Sequence, residues 1–294
     1  MGTFVGHLVP GLALALVGFW HTISTIRANY HNGSTKFRSR FWYSFKTPLP
    51  CLVQHMDLIL VLSFSLFCIL VQFIDYPSLH LSFKLHNIEH ATMFLNLTVF
   101  AGFALVSEIS NLADHQMLHG ILGILATSVF GQELFLLHYH STDHVGIEGH
   151  YHWLLQLLVW ISLISSLVVT CFPSCLPSAL VLSISVVFQG LWFINMGFNL
   201  WFPRFVPHGC VTTRSTSDQG SIICHTDEAD LRARAIANLQ FSWILGAILI
   251  LVASISFIFA RNRADRTLLS KYEQLQSRNR DIPVTIHCLK QTSR

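Results

Sequence analysis

Seven stretches of about 20 mostly apolar residues, bounded by charge, Pro or Gly, leave this chain few ways to fold. They are Phe4–Ile26, Leu52–Phe73, His86–Ile109, His115–His138, Gly149–Phe172, Ser178–Trp201 and Ile236–Ala260. Each is long enough to cross a ~30 Å hydrocarbon core as an α-helix. Inside lipid only helices and closed barrels satisfy every backbone N–H and C=O, and runs this long and continuous have the helical signature. Composition offers no aqueous alternative. The 294 residues include 18 Lys+Arg and 15 Asp+Glu, so 11% are charged and 52% hydrophobic, against the roughly 25% charge of a soluble domain. Too little polar surface remains to cover a core in water. That excludes a cytosolic enzyme, a secreted disulfide scaffold and a disordered regulator. A net charge of +3, scattered along the chain, gives no footing for nucleic acid. The expected fold is all-α, a polytopic membrane protein built as a seven-transmembrane-helix bundle.

Charge placement orients the bundle. With the N-terminus outside, the inner side holds the first, third and fifth loops and the C-terminal tail. Those segments carry thirteen Lys and Arg, whereas the outer ones carry five: Lys84, Arg204, Arg214, Arg232 and Arg234. The positive-inside rule then puts the N-terminus outside or in a lumen and the C-terminus in the cytosol. Residues 1–260 form the seven-helix transmembrane domain. Residues 261–294, polar and charged as in KYEQLQSRNR, are expected to be a mobile cytosolic tail with too little apolar periodicity to pack. Cys210 and Cys224 share the long outer loop, where a disulfide is permitted; their pairing stays open at this stage.

The 17 His outnumber the 15 acids, and the orientation gathers many of them in the outer leaflet. His90 lies four residues inside the start of its window and Glu133 five inside the end of its own, which puts both about 6–8 Å below the boundary. Glu133 and His140, seven apart, share a helix face, as do Glu148 and His152, four apart. A carboxylate in the membrane costs about 2.5–3.5 kcal/mol even on the lowest scales, so Glu133 needs a partner or a cavity. One carboxylate and three imidazoles at matched depth have the composition of a zinc-type site. The expected metal ligands are therefore His90, Glu133, His140 and His152, for zinc or another divalent transition metal. His7, Glu148 and Gln189 are expected as neighbouring ligand-binding residues. The remaining histidines, His21 among them, read as interfacial or structural. Glu108 is in phase with His90 but eighteen residues away, about 27 Å along the axis, and reads as a solvated cap of the cytosolic loop. Gln189, Trp192, Met196 and Asn199 follow a three-four spacing and form a partly polar inward stripe.

The start MGTFVGHLVPG with Gly18 and Trp20, the segment EHATMF, the run QELFLLHYHSTDHVGIEGHYHWLLQ and the segment FQGLWFINMGF follow one another over roughly residues 1–260. Together they resemble the transmembrane protein 45 family in its plant-type branch. The resemblance implies a multi-pass protein of seven spans in secretory or endosomal membranes; the plasma membrane suits the same hydropathy. It extends to His7, His90, Glu133, His140, His152, Gln189 and Trp192, and it supplies no reaction.

Three function classes fit these observations. In the first, the His/Glu cluster binds a divalent metal, and the protein acts on a lipid as a metal-dependent hydrolase by lowering the pKa of a bound water. No clear intramembrane Ser–Asp pair accompanies the histidines, so the chemistry stays undecided. The second is an ion or small-solute transporter or channel. The third is a non-enzymatic receptor or trafficking adaptor. Membrane lipids are the expected partners in all three, with homo-oligomerisation compatible and no nucleic acid.

Overall fold

Every one of the seven apolar windows folds as a helix. The computed structural model describes residues 4–32, 37–43, 55–75, 80–81, 83–110, 115–139, 146–214 and 220–280. The helices among them are α1 (Phe4–Asn32), α2 (Met56–Gln72), α3 (Leu85–Ile109), α4 (Gln116–His138), α5 (Gly146–Cys171), α6 (Leu176–Trp201) and α7 (Asp227–Arg280). Six are long and apolar enough to cross a membrane, and α2, at 17 residues, is shorter. Two antiparallel ribbons join them, β1 (Ile74–Asp75) with β2 (His80–Leu81) and β3 (Cys210–Arg214) with β4 (Gly220–Cys224). Cys210 faces Cys224 in the second ribbon, and the two form a disulfide.

The helix ends follow from local chemistry. Gly146, at φ 65°, opens α5 from a left-handed conformation that glycine adopts without strain. Asp227, Glu228 and Asp230 crowd the first turn of α7, where the helix dipole favours acids. The Ala229 amide donates to Thr226 Oγ1 at 3.2 Å and completes the cap. At its other end α7 runs past the apolar window to Arg280, well beyond the boundary at residue 260 that composition suggests; residues 281–294 lie outside the described residues. Once the membrane segment has formed a helix, propagation needs no new nucleus. The Arg-, Leu-, Glu- and Gln-rich continuation has the propensity to extend it.

Each helix packs against the next from α2 through α3, α4, α5 and α6 to α1, and α7 lies outside against α1, α5 and α6. In lipid, association depends on close packing and interhelical hydrogen bonds rather than on hydrophobicity. The α1–α6 contact is made by bare backbone. A Cβ added to Gly11 would come within 2.9 Å of the Gly190 carbonyl oxygen, one on Gly18 would meet the Val187 amide, and one on Gly190 would overlap the backbone of Ala15. Hydroxyls join other pairs: Thr98 Oγ1 donates to Ser65 Oγ (2.9 Å) between α3 and α2, and the Ser162 and Ser185 hydroxyls meet at 2.6 Å between α5 and α6.

The seventh helix attaches through amides. Gln240 Oε1 accepts from the Tyr151 hydroxyl (2.9 Å) and from Asn195 Nδ2 (3.1 Å), and Gln240 Nε2 donates to Asn199 Oδ1 (3.0 Å). Only 6% of the apolar window of α7 is buried in the bundle, so these bonds carry much of its docking.

Candidate functional site

Between the helices lies a cavity of about 280 Å³, partly open to its surroundings. Each wall is a helical stripe. From α1 come His7, Pro10, Leu14, Val17 and His21; from α3 His90, Met93, Leu97 and Phe100; from α4 Ala126, Val129, Glu133 and Leu137. Repeats of three and four bring such residues onto one face. At 1.5 Å per residue the α1 stripe spans about 21 Å and the α3 stripe about 15 Å. The cavity is therefore elongated, parallel to the helices and walled mainly by apolar side chains.

Four of its five ionisable lining groups gather at the end where α1 and α3 begin and α4 stops. His7, His90, Glu133 and His152 all line it there. His90 and Glu133 each sit five residues from the outer end of their helices, which meets the depth expected from sequence. The His7 ring lies 4.3 Å from that of Trp201 and 6.1 Å from that of His152, centroid to centroid. His152 Nδ1 is 2.9 Å from the Glu148 carbonyl oxygen. A carbonyl only accepts, so Nδ1 carries a proton and donates. Glu133 is half-buried and has no hydrogen-bond or ion-pair partner among the described residues.

The expected metal set is only partly assembled. His90, Glu133 and His152 share the cavity, while His140 lies outside the described residues. Among the described residues no group of three or more His, Cys, Asp and Glu side chains is spaced to hold a metal ion. Of the expected neighbours, His7 lines the cavity, but Glu148 and Gln189 are absent from its wall. Gln189 is fully buried and its Nε2 donates to Ser162 Oγ at 2.6 Å across the α5–α6 contact. The stripe it belongs to is real, since Trp192, Met196 and Asn199 are also buried. Its partners are helices: Trp192 Nε1 donates to the Tyr151 carbonyl (3.0 Å), and Asn199 accepts from Gln240.

The opposite end of the cavity is lined by a plug, residues 37–43, that sequence reasoning treats only as a basic loop. Phe41 and Trp42 line the cavity, and Phe37, Ser39, Phe41 and Trp42 are all buried. Residues 37–43 have no regular secondary structure, so their polar groups must find partners elsewhere. The Ser39 amide and hydroxyl both donate to the Pro173 carbonyl in the α5–α6 turn, at 2.7 and 2.8 Å. His119 Nε2 donates to the Ser39 carbonyl (3.0 Å), His21 Nε2 to that of Arg40 (3.1 Å), and Trp20 Nε1 to that of Tyr43 (2.9 Å). Trp42 Nε1 donates to Asp57 Oδ2 (2.8 Å), and Arg40 pairs with Glu108 at 3.9 Å. Burial pushes the Tyr43 phenol above its ordinary pKa, which keeps it protonated at neutral pH. Two readings from sequence change here. His21 lines the cavity and holds the plug, and Glu108 is an ion-pair partner rather than a solvated cap. The available signal was FRSRFWY, where aromatics alternate with arginines that a purely solvated loop would not need.

Comparison with known families bears on one half of the chain. Residues 119–257 match the model of a family of unknown function, DUF716. That family contains proteins like transmembrane protein 45, in agreement with the resemblance read from the motifs. The DUF716 match runs from α4 into the apolar part of α7 and takes in Glu133, His140, His152 and Gln189; His7 and His90, on the opposite cavity walls, lie outside it.

Proposed function

We propose that the chain is a seven-span membrane protein that binds an amphipathic molecule in this cavity, with the polar end of the ligand at His7, His90, Glu133 and His152. The observation that carries the reading is the pairing of a long apolar interior with one carboxyl, Glu133, that has no partner among the described residues. An intramembrane acid is stable only with a proton, a partner or a polar cavity, and marks a functional site by default. Binding is favoured over conduction because Phe41 and Trp42, held by the bonds of segment 37–43, stand across the cavity at the end away from Glu133.

The seventh span is α2, whose 17 residues stand at the lower limit of about 17 for a spanning helix. An outer or lumenal N-terminus draws on the charge asymmetry and on the Cys210–Cys224 disulfide, since disulfides persist on the oxidising side of a membrane. Secretory or endosomal membranes and the plant-type branch rest on the motif resemblance. The orientation has a direct check. In sealed, right-side-out vesicles treated with a mild reductant, an impermeant maleimide should label Cys210 and Cys224 at once and the exposed Cys171 only after permeabilisation. The reverse order would invert the topology.

The ligand reading is tested with a photoactivatable amphiphile carrying a diazirine at its tail, cross-linked in the membrane and mapped by peptide mass spectrometry. Labels should fall on the cavity residues Leu97, Phe100 and Val129. Labels confined to the outward-facing Leu95 and Val99, 52% and 50% exposed, would refute it. A second reading keeps a divalent metal, such as zinc, at the same histidines. Three of its four expected ligands line one cavity, and His140 would have to complete the set. Elemental analysis decides it: near-stoichiometric zinc lost in the double variant His90→Ala, His152→Ala supports it, and metal-free wild type rejects it.

A further inference from the structure

We propose that the cavity takes its occupant sideways from the bilayer, through a slot between α1 and α2 whose lips are Ala13 and Phe64. This rests on the cavity being a ligand site, and adds the source and class of the ligand: a lipid of the surrounding membrane. The packing order leaves the slot. From α2 the helices follow one another through α3, α4, α5 and α6 to α1, and among the described residues no comparable contact joins α1 back to α2 or α3.

The plug fixes its position. Residues 37–43 bridge the two helices at one end of the gap, where Trp20 of α1 donates to the Tyr43 carbonyl and Trp42 donates to Asp57 of α2. Tyr43 and Trp42 are adjacent, so Trp20 and Asp57 stand at nearly one height. Seven residues return to nearly the same helix face about 10 Å further along. Ala13 precedes Trp20 by seven and Phe64 follows Asp57 by seven, and both steps lead away from the plug. The two therefore stand level, on the faces that the plug spans below them. Both line the cavity and both are half-buried.

Each lip also borders the outside. Val9 and Leu16 lie within about one turn of Ala13, and Leu60 and Phe67 within about one turn of Phe64; all four are exposed apolar side chains of the kind that lipid covers. On its other side Phe64 meets Phe94 of α3 edge-on at 6.2 Å, which closes the α2–α3 seam and leaves the opening toward α1. The α1 lip is built from small residues, since Gly6, seven before Ala13, lines the cavity as well. Ala13 is nine residues, about 14 Å, from the start of α1, in the middle of a ~30 Å hydrocarbon core. Acyl chains are the medium at that depth. A lipid can pass a chain between the lips while its head stays at the boundary near His7 and His90, and a second chain can remain in the bilayer.

The test uses the full-length protein in nanodiscs, with a phosphatidylcholine carrying a diazirine at the end of one chain. The reporter is loaded rapidly from cyclodextrin and flashed at intervals. In the wild type, labels should fall on Ala13 and Phe64 as well as on Leu97 and Val129. Ala13→Trp, which fills one lip, should slow labelling of Leu97 and Val129 by roughly tenfold or more. Leu16→Trp, on the lipid face of the same helix, should leave the rate within about twofold. A second reporter carries on its head a polymer too bulky for the cavity. Its head never leaves the membrane surface, so it should still label Leu97 and Val129 within about threefold of the first, and this arm decides alone should Ala13→Trp fail to fold. An unchanged rate in folded Ala13→Trp, or loss of interior labelling with the polymer head, would overturn the slot while interior labelling by the first reporter still upheld a ligand cavity. No interior labelling by either reporter would overturn both.

Discussion

Gly190→Val should leave little folded protein. A Cβ at Gly190 overlaps the Ala15 amide and Cα of α1 and crowds the Gly11 carbonyl oxygen, all of them backbone atoms that cannot rotate away. Overpacking a core commonly costs about 1–3 kcal/mol when side chains can adjust. Here the helices themselves must part, so the cost belongs at or above the top of that range. The α1–α6 seam also carries His7, Trp201 and one wall of the cavity, so separating it dismantles the outer cluster as well. Fluorescence-detected size exclusion and thermal unfolding should show aggregation or a large loss of Tm. Gly246→Ala is the control. Nothing lies within 4 Å of a Cβ there, and removing a helix-interior glycine should stabilise by up to about 1 kcal/mol. A normal profile for Gly190→Val would mean that the two helices do not touch as described.

Trp42→Ala should both destabilise the protein and open the inner end. Replacing a buried aromatic by alanine typically costs about 3–5 kcal/mol. Trp42 is 7% exposed, packs in the inner core cluster with Phe41 and Leu58, and bonds to Asp57. Trp42→Phe separates the contributions, since it keeps most of the packing and loses one hydrogen bond to a carboxylate, about 1.5–3 kcal/mol. A cysteine placed at Ala126, on the inner part of the cavity wall, should react with a water-soluble maleimide added from the inner side in the Trp42→Ala background and stay protected beside the native tryptophan. Equal protection in both would show that residues 37–43 do not seal the cavity.

The helices were legible because apolar runs of this length have few alternatives in lipid, and their ends moved by only a few residues except at the end of α1 and at both ends of α7. The depth of His90 and Glu133 was legible too, because rise per residue converts sequence position into height, and the cavity joins them as height requires. Direction around a helix was less so. Gln189 lies on a polar stripe, but spacing cannot tell a stripe facing a cavity from one facing another helix, and Ser162 and Tyr151 on α5 turned out to be what that stripe meets. Glu148 shares the face of His152, and its backbone carbonyl is bonded to that imidazole. Segment 37–43 escaped because its order comes from bonds to four helices and a distant turn, with Ser39 reaching Pro173 across 134 residues. No local pattern announces such partners. The continuation of α7 to Arg280 was missed for a related reason: lack of amphipathic pattern argues against packing, not against a helix already started in the membrane.

The central claim is that the ring of helices holds one elongated amphiphile, and an experimental density map of the protein in a lipid nanodisc tests it most directly. Continuous elongated density, running from Glu133 between Met93, Leu97 and Val129 to Trp42, is the predicted result. A cavity collapsed onto its own side chains, or holding only separate water-sized peaks, would contradict it.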